Sequence, residues 1–196
     1  ATMQTGATAA MRPRSETRQI FVGPVAVGGG APVSVQTMTN ADPHDAQALL
    51  RQINEAADLG CDIIRLTVPD AESAAVFRQV RASSPLPLVA DIHFDYRLAL
   101  AALEAGADGL RINPGNIGGS ERVRAVVAAA RGRRVPIRIG VNGGSLEADI
   151  LAKHGSATAE ALVESALRHV ALLEAEEYRE IKISVKASDV PRTLAA

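Results

Sequence analysis

The feature that most constrains this chain is a unit that repeats. Short runs rich in Val, Ile and Leu occur at "PVSVQTMTN", "DIIRLTVP", "PLVADIHF", "GLRINPGN", "PIRIGVN" and "EIKISVKAS", and amphipathic or alanine-rich stretches alternate with them. Strand followed by helix, about six times over, predicts a parallel sheet built from βαβ units. Such sheets exist as open doubly wound layers or as closed (β/α) barrels. Strand polarity separates the two. An open sheet is covered by helices on both faces, so its strands should be apolar on both sides. Here one face is apolar while the other carries Asp91 and His93 after Val89, Arg111 and Asn113, Arg138 and Asn142, and Lys182, Ser184 and Lys186. A charge under a helix costs several kcal/mol unless paired, on the order of 3–5 kcal/mol when a partner is missing. At the mouth of a barrel the same groups meet water or a ligand. The sequence therefore predicts an α/β fold, a (β/α) TIM-type barrel.

A full barrel of this type takes eight units and about 250 residues. With 196 residues, the chain supplies about six units and reaches "ASDVPRTLAA" where a sixth helix should start. It reads as an incomplete barrel over residues 18–196, with the remainder expected beyond Ala196. Residues 1–17 read as a disordered tail. "QIFVGPVAVGGG" reads as a small β-hairpin, with Gly28 to Gly30 as turn residues and not a phosphate loop, since no helix follows them.

Helix starts are legible in places. Asp42 is expected as an N-cap with Pro43 at the first helical position. Leu49, Leu50, Ile53 and Ala57 then trace one face up to Gly60. Ser120 with Glu121 opens the helix of Val123, Val126, Val127 and Ala130. Thr158 with Glu160 opens that of Leu162, Ala166, Val170 and Leu173.

Composition removes other readings. The formal net charge is −1, so no global pull toward nucleic acid or membrane is expected. Aromatics are 3% with no Trp, which argues against base-stacking platforms. No apolar run approaches the roughly 20 residues of a membrane span. The single Cys61 points to a reducing, cytoplasmic setting and to a small buried hydrophobe between helix and strand. No Cys/His metal spacing, G-x-S-x-G elbow or Walker loop is present, so no metal site is expected in this chain.

In such barrels the working face lies at the C-terminal ends of the strands. Arg65, Asp91, His93, Arg111, Asn113, Arg138, Asn142, Ser184 and Lys186 are expected there. Converging cations repel by about 1 kcal/mol per pair even in water. Each charge-assisted hydrogen bond to a phosphate oxygen returns about 1.5–3 kcal/mol. A phosphate or diphosphate ligand fits, helped by backbone N–H groups of "NPGNIGGS" and the helix N-terminus after it. Plainer roles stand beside this one. Arg65 and Arg138 could be salt-bridge partners, Asp91 a supporting acceptor for a neighbouring Arg, and His93 a core histidine. Lys182 could snorkel to the barrel floor, and "RGRR" at 131–134 reads as a solvated helix end. Pattern gives a ligand class but no reaction.

Taken in order, "VSVQTMTN", "CDIIRLTVPD", "PLVADIHFDYRLAL", "LRINPGNIG", "PIRIGVNGGSLE", "ALVESALRHV" and "IKISVKASDV" resemble the N-terminal barrel of the 4-hydroxy-3-methylbut-2-enyl diphosphate synthase family, over residues 17–190. That barrel is similar in turn to dihydropteroate synthase. The resemblance implies reductive ring-opening of 2-C-methyl-D-erythritol 2,4-cyclodiphosphate in the non-mevalonate isoprenoid pathway. It implies a [4Fe–4S] cluster on a separate C-terminal domain, flavodoxin or ferredoxin as electron donor, and a homodimer at full length. It implies Arg65, His93, Arg111, Asn113, Arg138, Asn142, Ser184 and Lys186 as the substrate-cradling set. Cluster ligation takes three or four thiolates, so one cysteine implies that the cluster domain is absent and that this chain alone is inactive. "PRTLAA" departs from the family pattern. Two other readings stay open: a non-catalytic diphosphate-binding module, and a dihydropteroate-synthase-like barrel enzyme.

Overall fold

The computed structural model describes residues 16–113 and 117–196. It opens with the antiparallel hairpin β1 (Ile20–Val22) and β2 (Val25–Val27). The hairpin turn is Gly23 and Pro24, with Gly23 at φ 56, a conformation that costs glycine least. Gly28 to Gly30 form the next turn instead, where the Gly28 carbonyl accepts from Ala31 N. Residues 1–15 of the expected tail lie outside the described residues, and Thr17 Oγ1 accepts a hydrogen bond from Gly29 N at 3.0 Å. Val22 packs with Ile63 and Val89 in a small apolar cluster, which seats the hairpin across the floor of the sheet.

Six parallel strands follow in sequence order: β3 (Gln36–Met38), β4 (Ile63–Thr67), β5 (Leu88–Asp91), β6 (Gly109–Ile112), β7 (Ile137–Asn142) and β8 (Ile181–Lys186). Between them run α1 (Ala46–Asp58), α2 (Ala71–Ser83), α3 (Tyr96–Glu104), α4 (Ser120–Arg131), α5 (Ala148–His154) and α6 (Ala159–Glu174), and α7 (Val190–Ala195) comes last. Each strand pairs with the one before it, as βαβ units wound in one direction require. This curled parallel sheet is the expected barrel architecture, with β3 and β8 as its edges among the described residues.

Period-2 alternation divides the strands. Ile64, Leu66, Leu88, Ala90, Leu110, Ile112, Ile137 and Ile139 are buried in one core with Phe77, Val80, Leu103, Val126 and Val127 of the helices. The alternate positions form the inner, polar face. Cys61 belongs to the core, its thiol donating to the carbonyls of Val35 and Ile63 at 3.4 and 3.2 Å, so the small-hydrophobe expectation holds.

Helix starts differ from expectation once. Asp45, not Asp42, caps α1, accepting from Ala48 N at 2.9 Å. Asp42 instead accepts from His44 N at 2.9 Å; that short-range turn competes with a helix start and moves it three residues on. Leu49 and Ile53 are buried and Gly60 takes φ 84. Thr158 caps α6 through Ala161 N. Ser120 opens α4, although its N-cap, Gly119, has no side chain to contribute. The 3₁₀ turn at Gly143–Ser145 and α5 are additions that apolar periodicity did not signal. At "RGRR", Arg131 and Arg133 donate to the carbonyls of Glu176 and Leu103, and the segment is an exposed helix end.

Candidate functional site: a cationic inner face around Asp91

Register determines which polar side chains meet. Thr67 lies opposite Asp91, Asp91 opposite Arg111, Arg111 opposite Arg138, and Arg138 opposite Lys182. One row of ionic side chains thus crosses β5 to β8. Arg138 and Lys182 are second residues of their strands, so Arg138 is not the strand-end residue the sequence reading has it as. The stagger intrinsic to barrels brings them level with Asp91 at the C-terminal end of β5.

Asp91 is the hub, with 3% of its surface exposed. Arg111 Nη1 donates to its Oδ1 at 3.2 Å. Arg65 Nε stands 3.4 Å from Oδ2 but is not aligned to donate, so that contact is coulombic. Arg65 Nη2 reaches Met38 Sδ at 3.2 Å. His93 Nε2 is 4.0 Å from Oδ1 and nearly half exposed, toward the mouth. His93 is therefore not a buried core histidine.

Next along the row, Arg138 Nε donates to Ser184 Oγ at 3.0 Å. Burial lowers the Arg138 pKa, and Arg65 and Arg111 lower it further, against Asp91. Burial likewise lowers Lys182, followed by Arg138 and Arg65. In both, burial is the larger cause and the neighbouring cations add to it, beside the single carboxylate of Asp91. Lys182, set aside in the sequence reading, belongs to the row. The signal for it was its place in the period-2 series with Ser184 and Lys186.

The remaining expected residues sit nearer the rim. Asn142 Oδ1 accepts from Gly144 N at 3.1 Å, so it caps the 3₁₀ turn as well as facing Lys186 across the β7–β8 pair. Lys186 is exposed. Asn113 follows β6 directly; Pro114 to Asn116 of the expected anion loop lie outside the described residues. A different cavity, of about 580 Å³, lies at the floor end between Gln19, Phe21, Asp108, Arg133 and Glu180. Its charges are of mixed sign and do not converge.

An iron–sulfur cluster does not fit these residues. The chain has one cysteine, its sulfur is buried against backbone carbonyls at the floor end of β4, and no group of three or more His, Cys, Asp or Glu suited to a metal occurs among the described residues. No helix among them is long and apolar enough to cross a membrane.

Solved structures share the fold. A phospho-2-dehydro-3-deoxyheptonate aldolase from Thermotoga maritima superposes with TM-score 0.60 at 12% identity, covering 88% of this chain and 47% of that one. A dihydropteroate synthase from Yersinia pestis gives TM-score 0.56 at 13% identity, over 85% and 62%. At such identities the likeness concerns the barrel alone. Sequence relatives are much nearer. The 4-hydroxy-3-methylbut-2-en-1-yl diphosphate synthase (flavodoxin) of Maridesulfovibrio salexigens is 57% identical over 183 residues, 93% of this chain and 51% of that protein. The enzyme of the same name from Geobacter sulfurreducens is 60% identical over 183 residues, 93% and 52%. The chain spans about half the length of the curated relatives it matches. With the family described as GcpE TIM-barrel domain matched across residues 17–196, the chain belongs to that family.

Proposed function

We propose that this chain is the substrate-binding barrel of a 4-hydroxy-3-methylbut-2-en-1-yl diphosphate synthase, and that its inner face holds the diphosphate of 2-C-methyl-D-erythritol 2,4-cyclodiphosphate. The observation that carries the reading is the row of Arg65, Arg111, Arg138 and Lys182 around the single carboxylate of Asp91. Left alone, that row is over-charged. A dianionic or trianionic ligand above it would offset the excess and take charge-assisted hydrogen bonds from the arginine forks. His93, Asn113, Asn142, Ser184 and Lys186 lie toward the mouth, where neutral donors and one more cation would orient the rest of the ring.

Overall, the proposed reaction takes two electrons and two protons, opens the cyclic diphosphate at a carbon–oxygen bond and releases water. Flavodoxin, which the relatives carry in their names, is the proposed electron source, and ferredoxin could serve in its place. A [4Fe–4S] cluster carried outside the residues of this chain would supply the electron transfer, and the whole protein would act in the cytoplasm as a homodimer. The part assigned to this chain is binding and orientation, with the diphosphate held so that its ring faces out of the barrel mouth.

Isothermal titration of the cyclic diphosphate into the complete protein, wild type against Arg111→Ala, tests the reading. The variant should bind more weakly by about 1.5–3 kcal/mol, the worth of hydrogen bonds to a charged group, while its melting temperature changes little. Equal affinities would reduce Arg111 to a structural partner of Asp91 and remove the basis of the reading.

A further inference from the structure

We propose that Gly140 is a positioning residue, whose missing side chain is the space in which the Arg111 guanidinium lies. The inference rests on the diphosphate reading of the inner face and adds a residue that makes no ligand contact of its own. Arg111 sits between two strands that differ in what they offer it. On the β5 side, Asp91 Oδ1 holds Nη1 at 3.2 Å. On the β7 side, Gly140 follows Arg138 by two residues and so shares the inner face. A Cβ added to Gly140 would stand 2.6 Å from Arg111 Nε, 2.8 Å from Nη2 and 3.1 Å from Cζ. The three nearest atoms all belong to that one guanidinium.

Two further observations separate this glycine from the others. Gly140 is not among the residues with positive φ, so its backbone conformation is open to any L-residue. A turn does not require glycine here; the arginine does. Gly109, on the same face of the adjacent strand, would place its Cβ 3.1 Å from Val89 Cγ2, a tight contact, but with an apolar neighbour and no charged group. Among the described glycines, only at Gly140 is the displaced group a cation of the ligand-facing row.

The displaced atoms are also the far end of a flexible side chain, so a methyl group would move the fork at small cost to the fold. Moved off Gly140, the fork separates from Asp91 or is pressed toward Arg138, its register neighbour. Either way it no longer presents its donors as a preorganised set, and preorganisation is what makes such a site effective.

The test is a double-mutant cycle on the complete protein, titrating 2-C-methyl-D-erythritol 2,4-cyclodiphosphate and recording thermal melts. Gly140→Ala should weaken binding by roughly tenfold, the loss of about one hydrogen bond to a charged group, with a melt close to wild type. Added to Arg111→Ala, it should cost nothing more. Added to Arg111→Lys, whose slimmer head leaves room for the methyl, it should also cost nothing more. Should Gly140→Ala alone fail to fold, the Arg111→Lys/Gly140→Ala pair should recover both fold and the affinity of Arg111→Lys. Wild-type binding by Gly140→Ala beside weakened Arg111→Ala overturns the role of Gly140 and spares the site. An equal loss from Gly140→Ala in every background overturns it as well. Unchanged binding by Arg111→Ala fails the site reading itself, and the role of Gly140 with it.

Discussion

Asp91 holds a carboxylate almost out of water, which is tolerable only because Arg111, Arg65 and His93 stand within 3.2, 3.4 and 4.0 Å of it. Its deletion is costly for a second reason: the cations it separates would then face one another. Asp91→Asn should destabilise the fold by about 2 kcal/mol, below the full value for a buried pair because Arg65 and Arg111 remain about one-fifth exposed. Inorganic diphosphate should raise the melting temperature of the variant more than that of wild type, since it replaces the missing negative charge. Differential scanning fluorimetry with and without diphosphate reads this, and equal shifts in both proteins would count against an over-charged row. Asp91 and Arg111 were legible in the sequence because each breaks an apolar run at period 2. Gly140 was not, since a glycine in a strand carries no sign of what lies over it. Lys182 was undervalued because position along a strand, without stagger, does not give height in a barrel.

Among the elements, the joint between α5 and α6 buries a histidine beside a carboxylate. The Glu147 carboxylate accepts from Ser165 Oγ at 2.8 Å and stands 3.0 Å from His169 Nε2. His169 is 2% exposed, and its Nδ1 is buried without a hydrogen bond. Burial holds its pKa below the usual 6.5, with Glu147 acting in the opposite direction. A second proton would go to an Nδ1 with no acceptor. The unfolded chain therefore binds that proton first as pH falls, and stability that is complete above 6.5 is lost progressively toward the lower folded value. Urea midpoints should fall as the solution is acidified through this window, and His169→Gln should flatten that part of the profile. Superimposable slopes for the two proteins would contradict the assignment. This joint shows where sequence reading stops at the element scale. Strands and the longer helices declared themselves through periods of 2 and 3.6, while α5 is only seven residues long and leans on contacts with α6. The start of α1 depended on whether Asp42 or Asp45 capped it, a choice made by the His44 turn and not by residue type.

At the scale of the whole molecule, charge and hydrophobicity are sorted along the barrel axis. The hairpin closes the floor with Val22 against Ile63 and Val89. The ionic row stands above it, and the neutral donors and Lys186 lie toward the open rim. That polarity is what a barrel needs to receive an anionic ligand from one end only. The most direct measurement is a crystal structure of the complete protein with 2-C-methyl-D-erythritol 2,4-cyclodiphosphate. Phosphate oxygens within about 2.7–3.2 Å of the Arg111 and Arg138 guanidiniums, above Asp91 and below His93, are the predicted result. Density for the diphosphate in the floor cavity between Gln19, Arg133 and Glu180, with the inner face holding water alone, would contradict it.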